Sequence, residues 1–268
     1  MQLLNIIKRY CSLLLTFALN SLVGQMEYRI NFISGIIVES GFMLSKLAYV
    51  LLIYRTGVTI NGMTPDHILI FIGVYAIMTG LYMMFYPNFG MISDYIKEGS
   101  MDFFLTKPVS PLFMVSFRYV DFAMPIPNIL GGIIMVVVGW WRCGFSVTPV
   151  KILLFIAFII LGVVLTYAVF LLPRLLSFWT ISTRGITQVS DALWDFNNMP
   201  MNVYNRVMQG VGCFLFPIFL ITNVPGMVID NNISGYFMLW ACISPFIFLS
   251  ITIAIWRIAI KRYASASS

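Results

Sequence analysis

The sequence predicts an all-α membrane protein, with six transmembrane helices preceded by an N-terminal amphipathic interfacial helix. Three observations carry that expectation. The chain of 268 residues is 60% apolar and only 10% charged, with a mean hydropathy of +0.93, which is more apolar surface than one water-facing fold can hide. Apolar windows of membrane length recur along it. Its basic residues also collect on one side of those windows. Runs this long and non-alternating exclude a β-barrel, so helices must satisfy the backbone within the bilayer.

Residues 1–26 read as the interfacial helix. Leu3, Leu4, Ile7, Cys11, Leu14, Leu15, Ala18 and Leu22 recur at helical spacing, while Asn5, Lys8, Arg9, Ser12, Thr16 and Asn20 interrupt any continuous apolar core. The segment is therefore expected to lie in the headgroup plane and not to be a cleavable signal. Residues 27–262 form the membrane domain, with spans at 30–54, 67–87, 120–141, 150–173, 206–222 and 236–257. The fifth is short and contains Pro217. Residues 88–118 make a long loop between spans two and three, and 263–268 a short tail.

Orientation follows from the basic residues. With the N-terminus inside, the inner segments hold Lys8, Arg9, Arg29, Lys97, Lys107, Arg118, Arg174, Arg184, Arg206, Arg257, Lys261 and Arg262. The outer loops hold Arg55, Arg142 and Lys151, and Lys46 stays within a span. This asymmetry predicts a multi-pass protein of the inner (cytoplasmic) membrane with both termini cytoplasmic. It also accounts for a net charge of +6 without nucleic acid, because no Arg/Lys cluster with interleaved aromatics is present.

Within the spans, Glu39 and Lys46 stand seven residues apart, so both project from one face of span one with roughly 10 Å of rise between them. A charge at a helix centre costs about 2.5–3.5 kcal/mol on insertion scales, so these two are expected to face protein or water. They are candidates for a subunit interface or substrate path, with structural ion pairing to a neighbouring span as the alternative. Tyr82 and Met83 join them as candidates, from an aromatic and Met-rich stretch that includes Tyr75 and Tyr86 and suits a greasy cargo. Asp191 and Asp195, four apart in the inner segment before span five, read as a solvated surface. His67 is the only histidine, without a second ligand at metal spacing. Cys11, Cys143, Cys213 and Cys242 offer no obvious outer disulfide pair. No phosphate-binding loop, dinucleotide fingerprint or hydrolase motif occurs, so energy for any transport must come from an ion gradient or another polypeptide.

The loop from Glu98 to Pro111 is the most informative stretch. Gly99 is expected to break the preceding helix and Ser100 to cap a short one carrying Met101, Phe104 and Leu105 on one side. Asp102 falls in its first turn and Lys107 at its far end, with Pro108 and Pro111 terminating it.

The pattern Gly99-x-Met101-Asp102-x-x-Leu105-x-Lys107-Pro108-x-Ser110-Pro111 resembles the inner-loop signature of type-2 ABC transporter permeases with six spans and no fused ATPase. Phe178-Trp179, the series Pro200, Tyr204, Pro217, Asn223-Val224-Pro225 and the ending from Trp256 agree in order. The resemblance implies a permease subunit of an ATP-driven exporter, moving a hydrophobic or amphipathic cargo outward by alternating access. It implies a second permease subunit, identical or sister, and cytoplasmic ATP-binding cassette subunits that hold ATP and magnesium. No cofactor is expected in this chain, and any ATPase activity would reside in those partners. By the same resemblance the loop bears a coupling helix, with Gly99, Met101, Asp102, Phe104, Leu105, Lys107 and Pro108 as the ATPase-subunit contact, and residues 222–234 supply a re-entrant turn broken at Pro225 and Gly226. The competing class is a stand-alone ion-coupled carrier or polytopic membrane enzyme. Neither clustered catalytic side chains nor a convincing internal repeat supports it.

Overall fold

The computed structural model describes residues 2–57, 59–180, 184–230 and 232–263. Its helices in chain order are α1 (Gln2–Glu27), α2 (Arg29–Thr56), α3 (Pro65–Phe85), α4 (Asn88–Lys97), α5 (Met101–Leu105), α6 (Pro111–Phe117), α7 (Pro125–Arg142), α8 (Pro149–Arg174), α9 (Arg184–Asp195), α10 (Arg206–Gly210), α11 (Ile218–Ile229) and α12 (Gly235–Ala259). Most of the expected tail, 264–268, lies outside the described residues.

Among the described residues, six stretches are long and apolar enough to cross a bilayer: Leu4–Glu27, Arg29–Thr56, Pro65–Lys97, Pro125–Arg142, Pro149–Phe178 and Gly235–Arg262. Five of them overlap the expected spans one to four and six. The remaining one is α1, so the helix expected in the headgroup plane has the length and composition of a crossing.

The expected fifth span, 206–222, is not one helix. Arg206–Leu215 and Ile218–Ile229 are bent by 97° at the break between them. The cause lies at Phe216-Pro217, since proline lacks an N–H and its ring collides with the preceding turn. The first half ends in a wide turn, Phe216 N donating to Val211 O at 2.9 Å. Pro225, expected to break the backbone, instead sits inside α11. Its missing N–H leaves the Ile221 carbonyl without a helical donor, and that oxygen faces Gly162.

Side-chain contacts fix the two ends of the bundle. At one end Arg9 donates to Pro108 O at 2.5 Å, Ser110 N donates to the Tyr10 hydroxyl at 3.2 Å and Tyr263 donates to Gly99 O at 3.0 Å. This is the basic end. At the opposite end Arg142 pairs with Asp66 at 2.7 Å, Lys151 donates to Ile229 O at 3.1 Å and His67 stands 3.9 Å from Asp230.

Against these markers the bent pair is a re-entrant hairpin. Trp240, near the start of α12, donates to Cys213 O at 2.8 Å, which keeps the first arm at the opposite end. Ile229 lies beside Lys151, whereas Ile221 lies beside Gly162, roughly 16 Å deeper along α8 at 1.5 Å per residue. The segment 184–203 makes the crossing. It begins with Asp191 3.7 Å from Arg174, passes Trp194 stacked on Tyr82 at 4.5 Å, places Asn197 against Thr222 at 3.2 Å and ends with Asn61 donating to Asn202 O at 2.5 Å. Arg206 therefore belongs to the opposite end and not to the basic end.

The core is built on α3, buried from Ile68 through Gly80 apart from Tyr75. Its closest neighbour is α7. A Cβ added to Gly73 would stand 2.8 Å from Gly132 O, and one added to Gly132 would stand 2.6 Å from Gly73 O. Only glycine permits this backbone approach, the usual way membrane helices gain packing without a hydrophobic drive between them. Nearer the basic end, Tyr86 stacks on Phe89 at 4.9 Å and Phe117 on Tyr167 at 5.7 Å, with Ser116 and Tyr167 hydroxyls bonded at 2.9 Å.

Candidate functional site

Glu39 and Lys46 point from one face of α2 toward α7, where Asn128 stands between them. Asn128 is fully buried and Glu39 is 7% exposed. The amide donates through Nδ2 to Glu39 Oε2 at 2.8 Å and accepts through Oδ1 from Lys46 Nζ at 2.9 Å. Its two ends thus match a carboxylate and an ammonium at once. Lys46 also lies 5.0 Å from the centroid of the Tyr75 ring, whose face attracts a cation. Met83 sulfur is 3.9 Å from the same amide nitrogen.

Three of the four residues expected on an interface or pathway therefore meet at one point between α2, α3 and α7. The fourth, Tyr82, stands apart, packed on Trp194 and 5.5 Å from the Phe170 ring. Sequence reasoning missed Asn128 and the role of the Tyr75 ring. The signal for the first was an asparagine inside an otherwise apolar span, which needs a partner wherever lipid surrounds the helix.

A second cluster lies on α9 and the single helical turn that follows it, Phe196–Asn198. Gln188, Asp191, Asp195 and Asn198 are exposed and recur every three or four residues, so they share one face. Trp194 turns inward against Tyr82 and Phe170. Arg174, only 5% exposed, approaches Asp191 with its guanidinium. Sequence reading put these carboxylates on a solvated inner loop. The structure places them on the crossing segment, from the level of Arg174 to that of Tyr75, 6.4 Å from Trp194. An exposed polar stripe at that depth is costly against hydrocarbon, so it faces water or another protein.

The third cluster is at the basic end. Gly99 adopts φ +72°, the left-handed conformation that ends α4 and turns the chain into α5. Ser100 does not cap α5 as expected: it is itself helical, and its hydroxyl reaches back toward Tyr95 O at 3.5 Å. Met101 and Phe104 are buried within this chain, Phe104 edge-on to Tyr95 at 4.9 Å. Phe103, Leu105, Lys107 and Pro108 are exposed, and Asp102 is half-buried. Phe103 was not among the expected contacts, yet it carries Lys107 at 4.5 Å and Arg118 at 5.2 Å over its ring. The two buried residues anchor the helix and the exposed ones form its tip.

Both ends of the described chain brace this tip. Arg9 and Tyr10 of α1 hold Pro108 and Ser110, and Tyr263 holds Gly99. Burial, followed by the nearby Asp102 carboxylate, pushes the Tyr263 phenol up, so it remains a hydroxyl donor to Gly99 O at neutral pH.

The family model described as "ABC-2 family transporter protein" matches residues 41–267, most of the chain. No curated protein and no solved structure gave a match.

Proposed function

The chain belongs to the ABC-2 family of transporter membrane proteins, and we propose that it is the permease subunit of an ATP-driven exporter for a hydrophobic or amphipathic cargo. The basic end faces the cytoplasm of a cell with an inner membrane, with residues 9 and 263 on that side. Separate ATP-binding cassette subunits bind ATP and magnesium there and move this chain through α5. A second permease subunit, a copy or a sister chain, completes the pore.

The observation that carries this reading is the short α5 tip, exposed at Phe103, Leu105, Lys107 and Pro108 yet rigidly held from behind. A lever needs both properties: an apolar and cationic surface to seat in a partner's groove, and a fixed base to pass displacement onward. Gly99, Met101, Asp102 and Phe104 supply the base. Displacement at α5 reaches α4 directly, α1 through Pro108 and Ser110, and the end of α12 through Tyr263.

The exposed stripe of α9 lines the water-filled path between the paired permeases. Tyr82 and Trp194 stand behind it and offer an aromatic wall to the cargo. Glu39, Asn128 and Lys46 fasten α2 to α7 beside that wall, so rocking of the bundle carries both helices together. Replacing Glu39 with Gln is expected to reduce transport more than assembly, and full transport by that variant would remove Glu39 from the pathway.

Affinity purification of the tagged chain from native membranes tests the reading. A P-loop ATPase is expected to co-purify, and Leu105→Asp at the exposed tip is expected to abolish its recovery. A purified chain that transports alone in liposomes would overturn the proposal.

A further inference from the structure

Outside these clusters, a strongly apolar groove runs between α1, α6, α8 and α12, with a volume of about 580 Å³. Tyr10, Leu14, Phe113, Phe117, Leu249 and Ile253 line it. Its lining runs from Ser110 at the basic end to Val163 on α8, so it lies along the half of the bundle nearer that end. Two cations stand close in the chain to residues that line it. Arg9 precedes the lining residue Tyr10 and reaches Pro108, two residues before the lining residue Ser110. Arg257 follows Leu249 and Ile253 one four-residue step further along α12, which puts it near the same helix face one turn closer to the basic end. Both arginines are exposed.

We propose that this groove binds one acyl chain of an anionic phospholipid, with the lipid phosphate held between Arg9 and Arg257. Charge selects the occupant. Two guanidinium groups beside a hydrocarbon slot favour a lipid of net negative charge, whereas the phosphate of a zwitterionic lipid brings an ammonium that they repel. The consequence is mechanical as well as chemical. Arg9 belongs to α1, which holds the 108–110 backbone, so a bound lipid ties α1 to α12 across the base of α5. The inference is independent of the ATPase reading and survives if that reading fails.

Native mass spectrometry of the detergent-purified chain, titrated with phosphatidylglycerol or with phosphatidylcholine of the same acyl length, tests it. Phosphatidylglycerol adducts are expected to form preferentially, and Arg9→Ala and Arg257→Ala are each expected to lower their affinity about fivefold. Leu249→Trp, which fills the slot from a half-buried position, is expected to remove the preference while the protein remains monodisperse. Equal adducts of both lipids, or anionic adducts untouched by all three substitutions, would overturn the proposal. So would a Leu249→Trp variant that loses its pairing with a second permease copy while retaining its lipid, because the groove would then be a protein interface.

Discussion

Asn128 separates two opposite charges that would otherwise be stranded inside the bundle, and its own burial leaves no water to replace it. Asn128→Leu keeps the volume and removes both hydrogen bonds. It is expected to lower stability by about 1–3 kcal/mol, the cost of unsatisfied buried polar groups. Thermal unfolding in detergent reads this directly, and an unchanged midpoint would show that the amide does not hold the charges. Gly99 poses a different demand, since its φ of +72° is set by the turn between α4 and α5. Gly99→Ala adds strain of about 1–2 kcal/mol at that one residue. Partner recovery is expected to fall while the melting of the bundle changes little; loss of neither would mean that the turn does not position α5.

At the scale of elements, the seam between α3 and α7 depends on two glycines meeting backbone to backbone. Gly132→Ala places a methyl against Gly73 O, which cannot move aside. The expected loss is about 1–3 kcal/mol, as for overpacked cores, again read by thermal unfolding. For α9, thiol accessibility is the informative measurement. In a background without native cysteines, Asp195→Cys is expected to react with a membrane-impermeant maleimide, whereas Val137→Cys on the exposed apolar face of α7 is expected to resist. Protection of both would move α9 out of the aqueous path. This helix also shows where sequence reading stops. Spans with continuous apolar runs, such as 150–173, were legible because hydropathy alone places them. The crossing at 184–203 was not, because Gln188, Asp191, Asp195 and Asn197 dilute its hydropathy. The apolar run at 206–222 took its place, although Pro217 already marked the fold-back.

For the molecule as a whole, sequence legibility followed the same division. Composition and the pattern around Gly99 and Asp102 carried the helical membrane class and the family; the structure bears out the first and the family model the second. Pairings between distant helices were beyond reach, because nothing in the spacing of Glu39 and Lys46 names Asn128 as their partner. The orientation of α5 was likewise hidden: helical spacing groups Met101 with Phe104, but does not say that this face turns inward and leaves Phe103 outside. The assembled picture is a bundle braced at its basic end by α1, α5 and Tyr263, with a re-entrant hairpin at the other end and a polar crossing helix between them. The proposed function requires a soluble ATPase at the tip of α5. A photocrosslinking amino acid in place of Phe103, compared with the same group in place of Phe104, tests that requirement in intact cells. A crosslink from position 103 to a P-loop ATPase is expected, and none from position 104. Labelling of position 103 by a reagent confined to the outside of the cell, or no crosslink to any cytoplasmic protein, would contradict it.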